Sequence, residues 1–178
     1  MEESKLVKRA QKGDRDAMEA LIGGYYPLVF AYFYKNTGLY HQSKDLTQEV
    51  FIKMISGLSG YRPRAAFKSW LFAIASNHLK NHYRSASRRP EPAEFSEALQ
   101  EVLPADSREI SRAELRQDIR AALEKLPPEQ REAVVLRFYH DFTPREIAEI
   151  TGVREAAIKS RIRYGLDKLK KELEGYAE

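Results

Sequence analysis

The sequence predicts an all-α fold: two helical domains joined by a flexible linker, the C-terminal one containing a helix-turn-helix. Three observations predict it. Apolar residues recur at three- and four-residue steps through most of the chain, and no strand-length alternation stands out. A stretch with Pro90, Pro92, Pro104 and scattered Glu lacks any periodicity. Near the C-terminus, a capped helix start, a Gly-containing turn and a basic helix follow one another. The expected units are residues 1–88, a linker over 89–110, and residues 111–178.

The elements follow in order. A short helix over about Glu3 to Lys12 breaks at Gly13-Asp14. A second spans about Asp14 to Asn36, with Gly23, Gly24 and Pro27 predicting a kink, and Thr37-Gly38 ends it. The third, about Ser43 to Leu58, places Leu46, Val50, Phe51, Met54, Ile55 and Leu58 on one apolar face. Gly57 to Arg64, with two Gly and one Pro, reads as a loop. The fourth helix runs from about Ala66 to Arg84, with Trp70, Leu71, Ile74 and Leu79 as core candidates. Helix resumes near Ser111, where Glu114 three residues on makes a capping box, and continues to Leu126. Pro127-Pro128 then opens a helix reaching about His140.

Thr143-Pro-Arg-Glu146 is a second capping box with Pro in the first turn. Its short helix ends at Thr151-Gly152, where Gly supplies the positive φ of a tight turn, and Ala148 lets the next helix cross closely. That last helix, about Arg154 to Leu173, has Ile158, Ile162, Leu166 and Leu169 as its inner stripe. Its other faces carry Lys159, Ser160, Arg161, Arg163 and Tyr164. In a helix-turn-helix the second helix enters the major groove and its early residues reach base edges. The competing reading is a helical hairpin with a solvated basic face.

Between Glu49 and Glu91 there is no Asp or Glu, whereas Lys53, Arg62, Arg64, Lys68, Lys80, Arg84, Arg88 and Arg89 fall there with Tyr61, Phe67, Trp70, Phe72 and Tyr83. Cations and rings without acids suit a nucleic-acid face. Trp70 reads better as core, and Tyr61, in the loop, as the ring that touches a base.

Asp45 and Glu49, four apart with Gln48 between them, share a helix face. With no third ligand nearby, a solvated or protein-binding face fits better than catalysis. His78 and His82 have zinc-compatible spacing, but no catalytic Glu accompanies them and Lys80 intervenes. No Gly-rich phosphate loop, nucleophile elbow or Ser/His/Asp order supports an enzyme, and no catalytic residue, metal or cofactor is expected.

The chain has 178 residues, 43% hydrophobic and 31% charged, with a net charge of +4 and no Cys. Disulfides and thiolate chemistry are thereby excluded. The charged N-terminus does not read as a secretory signal, and the apolar run Tyr25 to Tyr34 is far short of the roughly 20 residues of a membrane span. A cytoplasmic protein is expected, without direct membrane insertion and without an appended domain beyond Leu173.

Asp45-Leu-Thr-Gln-Glu-Val-Phe-Ile-Lys53, Phe67-Lys-Ser-Trp-Leu-Phe-Ala-Ile-Ala-Ser-Asn77 and the helix-turn-helix, with Gln11-Lys-Gly-Asp14 before them, resemble the extracytoplasmic function (ECF) subfamily of bacterial RNA polymerase sigma factors. The resemblance covers nearly the whole chain except the linker. It implies regions 2 and 4 on a flexible tether, and a subunit that brings core polymerase to promoters and helps open them. Asp45, Gln48 and Glu49 would dock on the β′ clamp coiled coil, and the C-terminal domain would meet the β-flap. Lys53, Tyr61, Arg62, Asn77, Lys80, Asn81 and Arg84 would serve the -10 element, with Tyr61 and Asn77 at a pocket for an extruded non-template base. Arg154, Lys159, Ser160, Arg161, Arg163 and Tyr164 would serve the duplex -35 element. Ala156-Ala157 and Tyr164 depart from the small polar pair and the basic residue common in the family, which leaves the -35 sequence open. The resemblance also implies an anti-sigma factor, which can hold such proteins at the membrane.

Each module alone offers few base contacts, so tethering both on polymerase would make element spacing part of the specificity. Two other classes remain open at this point. A free-standing DNA-binding regulator would bind duplex tightly alone, and a polymerase-binding adaptor would tolerate loss of Arg163.

Overall fold

The computed structural model describes residues 2–88 and 107–175. These form eight α-helices and one 3-10 turn: α1 (Glu3–Gln11), α2 (Arg15–Thr37), α3 (Tyr40–Gly57), the turn Leu58–Gly60, α4 (Phe67–Arg88), α5 (Ser107–Glu124), α6 (Pro128–Phe138), α7 (Pro144–Thr151) and α8 (Glu155–Glu174). No strand occurs among the described residues. Most of the expected linker, residues 89–106, lies outside them.

Local chemistry sets the boundaries. Asp14 caps α2, its carboxylate accepting from the Ala17 N–H at 3.1 Å, and this bond together with Arg9 holds its pKa below the usual range. α2 is one element through Pro27 and ends at Gly38, whose φ of 71° favours glycine. A Cβ at Gly38 would stand 2.9 Å from Glu124 Oε1 on α5, the movable end of a half-exposed side chain, so it is the turn that calls for glycine here.

Three expectations are corrected. α5 begins at Ser107, so Ser111 lies inside the helix and is not its N-cap. A Ser-x-x-Glu pattern marks a start only where the preceding residues cannot be helical, and 107–110 contain neither Gly nor Pro. Ile55 is 47% exposed and lies off the buried face of α3, which includes Leu46, Val50, Phe51 and Met54. Leu166 is exposed, and the inner stripe of α8 is Ile158, Ile162, Gly165 and Leu169. Gly165 is buried because α6 crosses there: a Cβ on it would fall 2.8 Å from Val134 Cγ2.

Residues 2–88 and 107–175 pack on each other, and a single cluster of buried residues runs from Val7 through Val29, Phe72 and Leu136 to Ile158. α2 and α4 of the first part meet α5, α6 and α7 of the second. Phe72 and Ala75 on α4 are fully buried alongside Leu71 and Leu79, so α4 is covered on more than one side.

Candidate nucleic-acid and polymerase interface

The acidic stripe on α3 stands as its spacing requires. Asp45, Gln48 and Glu49 are all exposed, while Leu46, Thr47 and Val50 between and beside them are buried. Glu49 Oε2 lies 3.3 Å from His78 Nδ1 on α4, which ties the stripe to the next helix. Ile52, exposed, extends the same region by one turn. His78 thus partners a carboxylate, and among the described residues no group of three or more His, Asp or Glu could hold a metal ion.

The loop before α4 is more ordered than its composition implied. Tyr61 was expected to present its ring, but it is only 8% exposed. Its ring packs against Phe67 and Trp70 at 5.7 and 5.0 Å between centroids, and its hydroxyl donates to the Ala65 carbonyl at 2.8 Å. Burial raises its pKa. Glycine and proline in the sequence signalled a loop, but nothing there signalled that the loop folds back on α4. Gln11 fixes the loop from α1: its Nε2 donates to the carbonyls of Leu58 and Tyr61, both at 2.9 Å. The sequence had pointed to Gln11 only through its surrounding motif. Arg62 is exposed and donates to the Ser59 and Tyr61 carbonyls.

Lys53 on α3 and Asn77, Asn81 and Arg84 on α4 are exposed. Lys80 is not: its Nζ donates to the Thr151 carbonyl at the end of α7. Lys68, on the same helix, donates to the His140 carbonyl and lies over the Phe142 ring at 4.6 Å. Gly60, Tyr61, Arg62, Arg64, Ser69 and Trp70 line a cleft of about 520 Å³ whose other wall includes Glu149 and Ile150 of α7.

The helix-turn-helix has the expected local chemistry. Thr143 Oγ1 accepts from the Glu146 N–H at 3.3 Å, and Glu146 Oε2 accepts from the Thr143 N–H at 2.8 Å, closing the capping box. Those bonds hold the Glu146 carboxyl below its usual range. Gly152 turns the chain at φ 72°, with its N–H on the Ala148 carbonyl. On α8 and its N-cap, Arg154, Lys159, Arg163 and Tyr164 are exposed, and the Arg163 guanidinium lies 4.9 Å from the Tyr164 ring centroid. Ser160 is half-buried. Arg161 is held back by Glu129 of α6 at 3.1 Å, an anchor within the fold.

Beneath these faces lies a buried polar cluster that the sequence did not indicate. Glu132 on α6 is 7% exposed, and its Oε1 accepts from the Tyr32 hydroxyl of α2 at 2.8 Å and the Ser76 hydroxyl of α4 at 2.6 Å. Burial first, then the Glu132 charge, push the Tyr32 pKa well up. His140, 2% exposed, sits against the Tyr32 and Phe72 rings. Burial, with Lys68 and Lys35 nearby, lowers its pKa to about 4. Arg131 donates to the carbonyls of Leu123, Glu124 and Leu126 on its own side and to that of Asn36 on the other. Arg120 likewise reaches the Tyr34 hydroxyl and the Gly38 carbonyl.

Two family models match in the same order as these faces. Sigma-70 region 2 matches residues 21–89, and Sigma-70, region 4 matches residues 116–169. The ECF RNA polymerase sigma-E factor of Escherichia coli K12 is 34% identical, with 88% of this chain and 86% of that protein covered. The chain belongs to the ECF sigma factors. It is therefore a promoter-recognising sigma factor of RNA polymerase. The RNA polymerase sigma-H factor of Pseudomonas aeruginosa is 30% identical, covering 90% of this chain and 88% of that protein. Among solved structures, the sigma factor RpoE bound to the anti-sigma factor NepR from Bartonella quintana matches with a TM-score of 0.70 at 22% identity, covering 88% of this chain and 96% of that one. CnrH, solved with the cytosolic domain of CnrY, matches with a TM-score of 0.70 at 23% identity, covering 96% of each. These two likenesses concern the fold. No helix among the described residues is long and apolar enough to cross a membrane.

Proposed function

We propose that the chain divides promoter recognition between residues 1–88, acting as region 2, and residues 111–178, acting as region 4, with 89–110 as the tether. The family models support this division, since they leave residues 90–115 between them. Region 2 docks through Asp45, Gln48 and Glu49 on the β′ clamp coiled coil. Its -10 face comprises Lys53, Arg62, Asn77, Lys80, Asn81 and Arg84, with the buried Tyr61 shaping the loop against Trp70. Region 4 reads the -35 element with Arg154, Lys159, Ser160, Arg163 and Tyr164, and its other side meets the β-flap. Arg161, anchored to Glu129, orients α8 more than it touches DNA.

The observation that carries this reading is the separation of faces: an exposed acidic stripe on α3 and exposed cations on a capped helix-turn-helix. Acidic groups suit a protein partner and not a phosphate backbone, and the cations suit the reverse. The chain performs no catalysis itself; it acts in the cytoplasm and is held by an anti-sigma factor until released. Pull-down of purified core polymerase, paired with promoter-dependent transcription, tests the division of labour. Asp45→Arg should lose both core binding and transcripts, whereas Arg163→Ala should keep core binding and lose transcripts. Equal loss of core binding in both variants would refute the assignment.

A further inference from the structure

The Gln11-Lys-Gly-Asp14 run carries none of the residues assigned to DNA or to polymerase, yet each part of it has a structural partner. Gly13, at φ 87°, ends α1, and Asp14 both caps α2 and pairs with Arg9 at 2.7 Å. Gln11, the last residue of α1, is therefore held on a fixed stop. From there its side chain crosses to the loop before α4, 47 and 50 residues on. Its Nε2 donates to the carbonyls of Leu58 and Tyr61, both at 2.9 Å.

Those carbonyls stand at the two ends of the 3-10 turn, since the Tyr61 N–H itself closes on the Leu58 carbonyl at 3.1 Å. One side chain thus braces both ends. An amide supplies the two donors without a charge, whereas a carboxylate of the same shape would face two carbonyl oxygens. α1 has a second hold on the loop. The Tyr25 hydroxyl donates to Glu3, the Tyr25 ring stands edge-on to Phe67 at 5.4 Å, and Phe67 packs on Tyr61.

The consequence falls on Arg62. Its side chain is exposed, and Nη1 rests on the carbonyls of Ser59 and Tyr61 at 3.1 and 3.2 Å. The Tyr61 carbonyl therefore has two side-chain donors, one for each lone pair. When a nucleic acid draws Arg62 away, Gln11 keeps that carbonyl satisfied and the turn in place. Without Gln11, Arg62 would be its remaining side-chain donor, and a bond given to DNA would be taken from the loop.

We propose that Gln11 is a positioning residue for -10 recognition: it braces the turn Leu58–Gly60 so that Arg62 is free to leave its own backbone for DNA. The proposal deepens the assignment of Arg62 to the -10 face and rests on it. α1 thereby takes part in promoter reading through Arg62 and not through a contact of its own.

Trp70 is the one Trp of the chain, and its ring lies 5.0 Å from that of Tyr61, so its fluorescence reports where the loop sits. In the full-length chain, acrylamide should quench Trp70 more strongly in Gln11→Met than without the substitution. Val29→Ala, at a fully buried position of α2, lowers stability without removing a loop bond and should leave the quenching unchanged. Start frequencies are then read with core polymerase on templates whose -10 element is randomised and whose -35 element is fixed, and on the reciprocal set. In Gln11→Met, the -10 base preference that Arg62→Ala abolishes should fall about tenfold, the order of one mismatched base pair. The -35 preference should hold in the same variant. Gln11→Met should add nothing in an Arg62→Ala background, because both changes act at one point. Unchanged quenching in Gln11→Met would overturn the bracing. Stronger quenching with an unchanged -10 preference would overturn its bearing on DNA. Additive effects with Arg62→Ala, or equal losses at both elements, would overturn the route through Arg62. A -10 preference that Arg62→Ala leaves intact would instead refute the assignment of Arg62, and the proposal with it.

Discussion

Gly165 offers a test in which one methyl group changes sign with its neighbour. Gly165 is buried on α8, and a Cβ there would sit 2.8 Å from Val134 Cγ2, against an ordinary contact near 3.6 Å with Gln130 Cβ. Val134 is itself 3% exposed, so its methyl has little room to retreat. Overpacking of this kind costs about 1–3 kcal/mol. Replacing Gly by Ala inside a helix returns about 1 kcal/mol of propensity. Gly165→Ala should therefore destabilise the chain by up to about 2 kcal/mol. Val134→Ala removes the opposing methyl groups, at a cost of about 2 kcal/mol for the lost burial and cavity. In that background Gly165→Ala should become stabilising by about 1 kcal/mol, because only the propensity gain remains. Urea denaturation followed by circular dichroism at constant m-value gives the four corners of the cycle. Additive effects, or a stabilising Gly165→Ala in the unaltered background, would refute the close-crossing argument.

Two further outcomes follow from the capping box and from the buried histidine. Thr143→Ala should cost about 1 kcal/mol, measured by thermal or urea unfolding, because it strips the N-cap of α7. Glu146 has a depressed pKa, so its contribution is present above its unfolded value of 4.5 and is lost as pH falls through the lower folded value; Thr143→Ala should flatten that acid limb. His140 is depressed from 6.5 to about 4, so between these values the unfolded chain binds the proton and the folded chain does not. Stability should be complete above pH 6.5 and fall as pH drops toward 4, by on the order of 3 kcal/mol at most. His140→Phe forfeits no hydrogen bond of the ring nitrogens, neither of which has a partner, and should remove most of that slope. An unchanged slope in pH-dependent unfolding would contradict the burial argument.

The helix-turn-helix was legible because each of its parts is local. Thr143 with Glu146, Pro144 in the first turn and Gly152 at the turn all act within a few residues, and all appear as the spacing requires. The acidic stripe was legible for the same reason: four-residue spacing on α3 fixes which side chains share a face. What the sequence could not convey depends on residues far apart. Tyr61 reads as a loop ring, yet Trp70 and Phe67 cover it. Leu166 fits the stripe of α8 by its hydrophobicity, but the crossing of α6 rotates the buried face onto Gly165. Glu132 lies in Pro-Glu-Gln-Arg-Glu and looks like any surface acid; its donors are 100 and 56 residues away. Lys68 and Lys80 belong to a run without acids and look free for phosphate, but the partners that engage them are backbone carbonyls, which no composition reveals.

As a sigma factor, this chain should confer promoter choice on RNA polymerase. Run-off transcription with purified bacterial core polymerase on a genomic fragment library, with and without the protein, tests it most directly. Discrete starts should appear only when the chain is added and vanish with Asp45→Arg. Absence of new starts, together with tight salt-sensitive duplex binding by the protein alone, would contradict it.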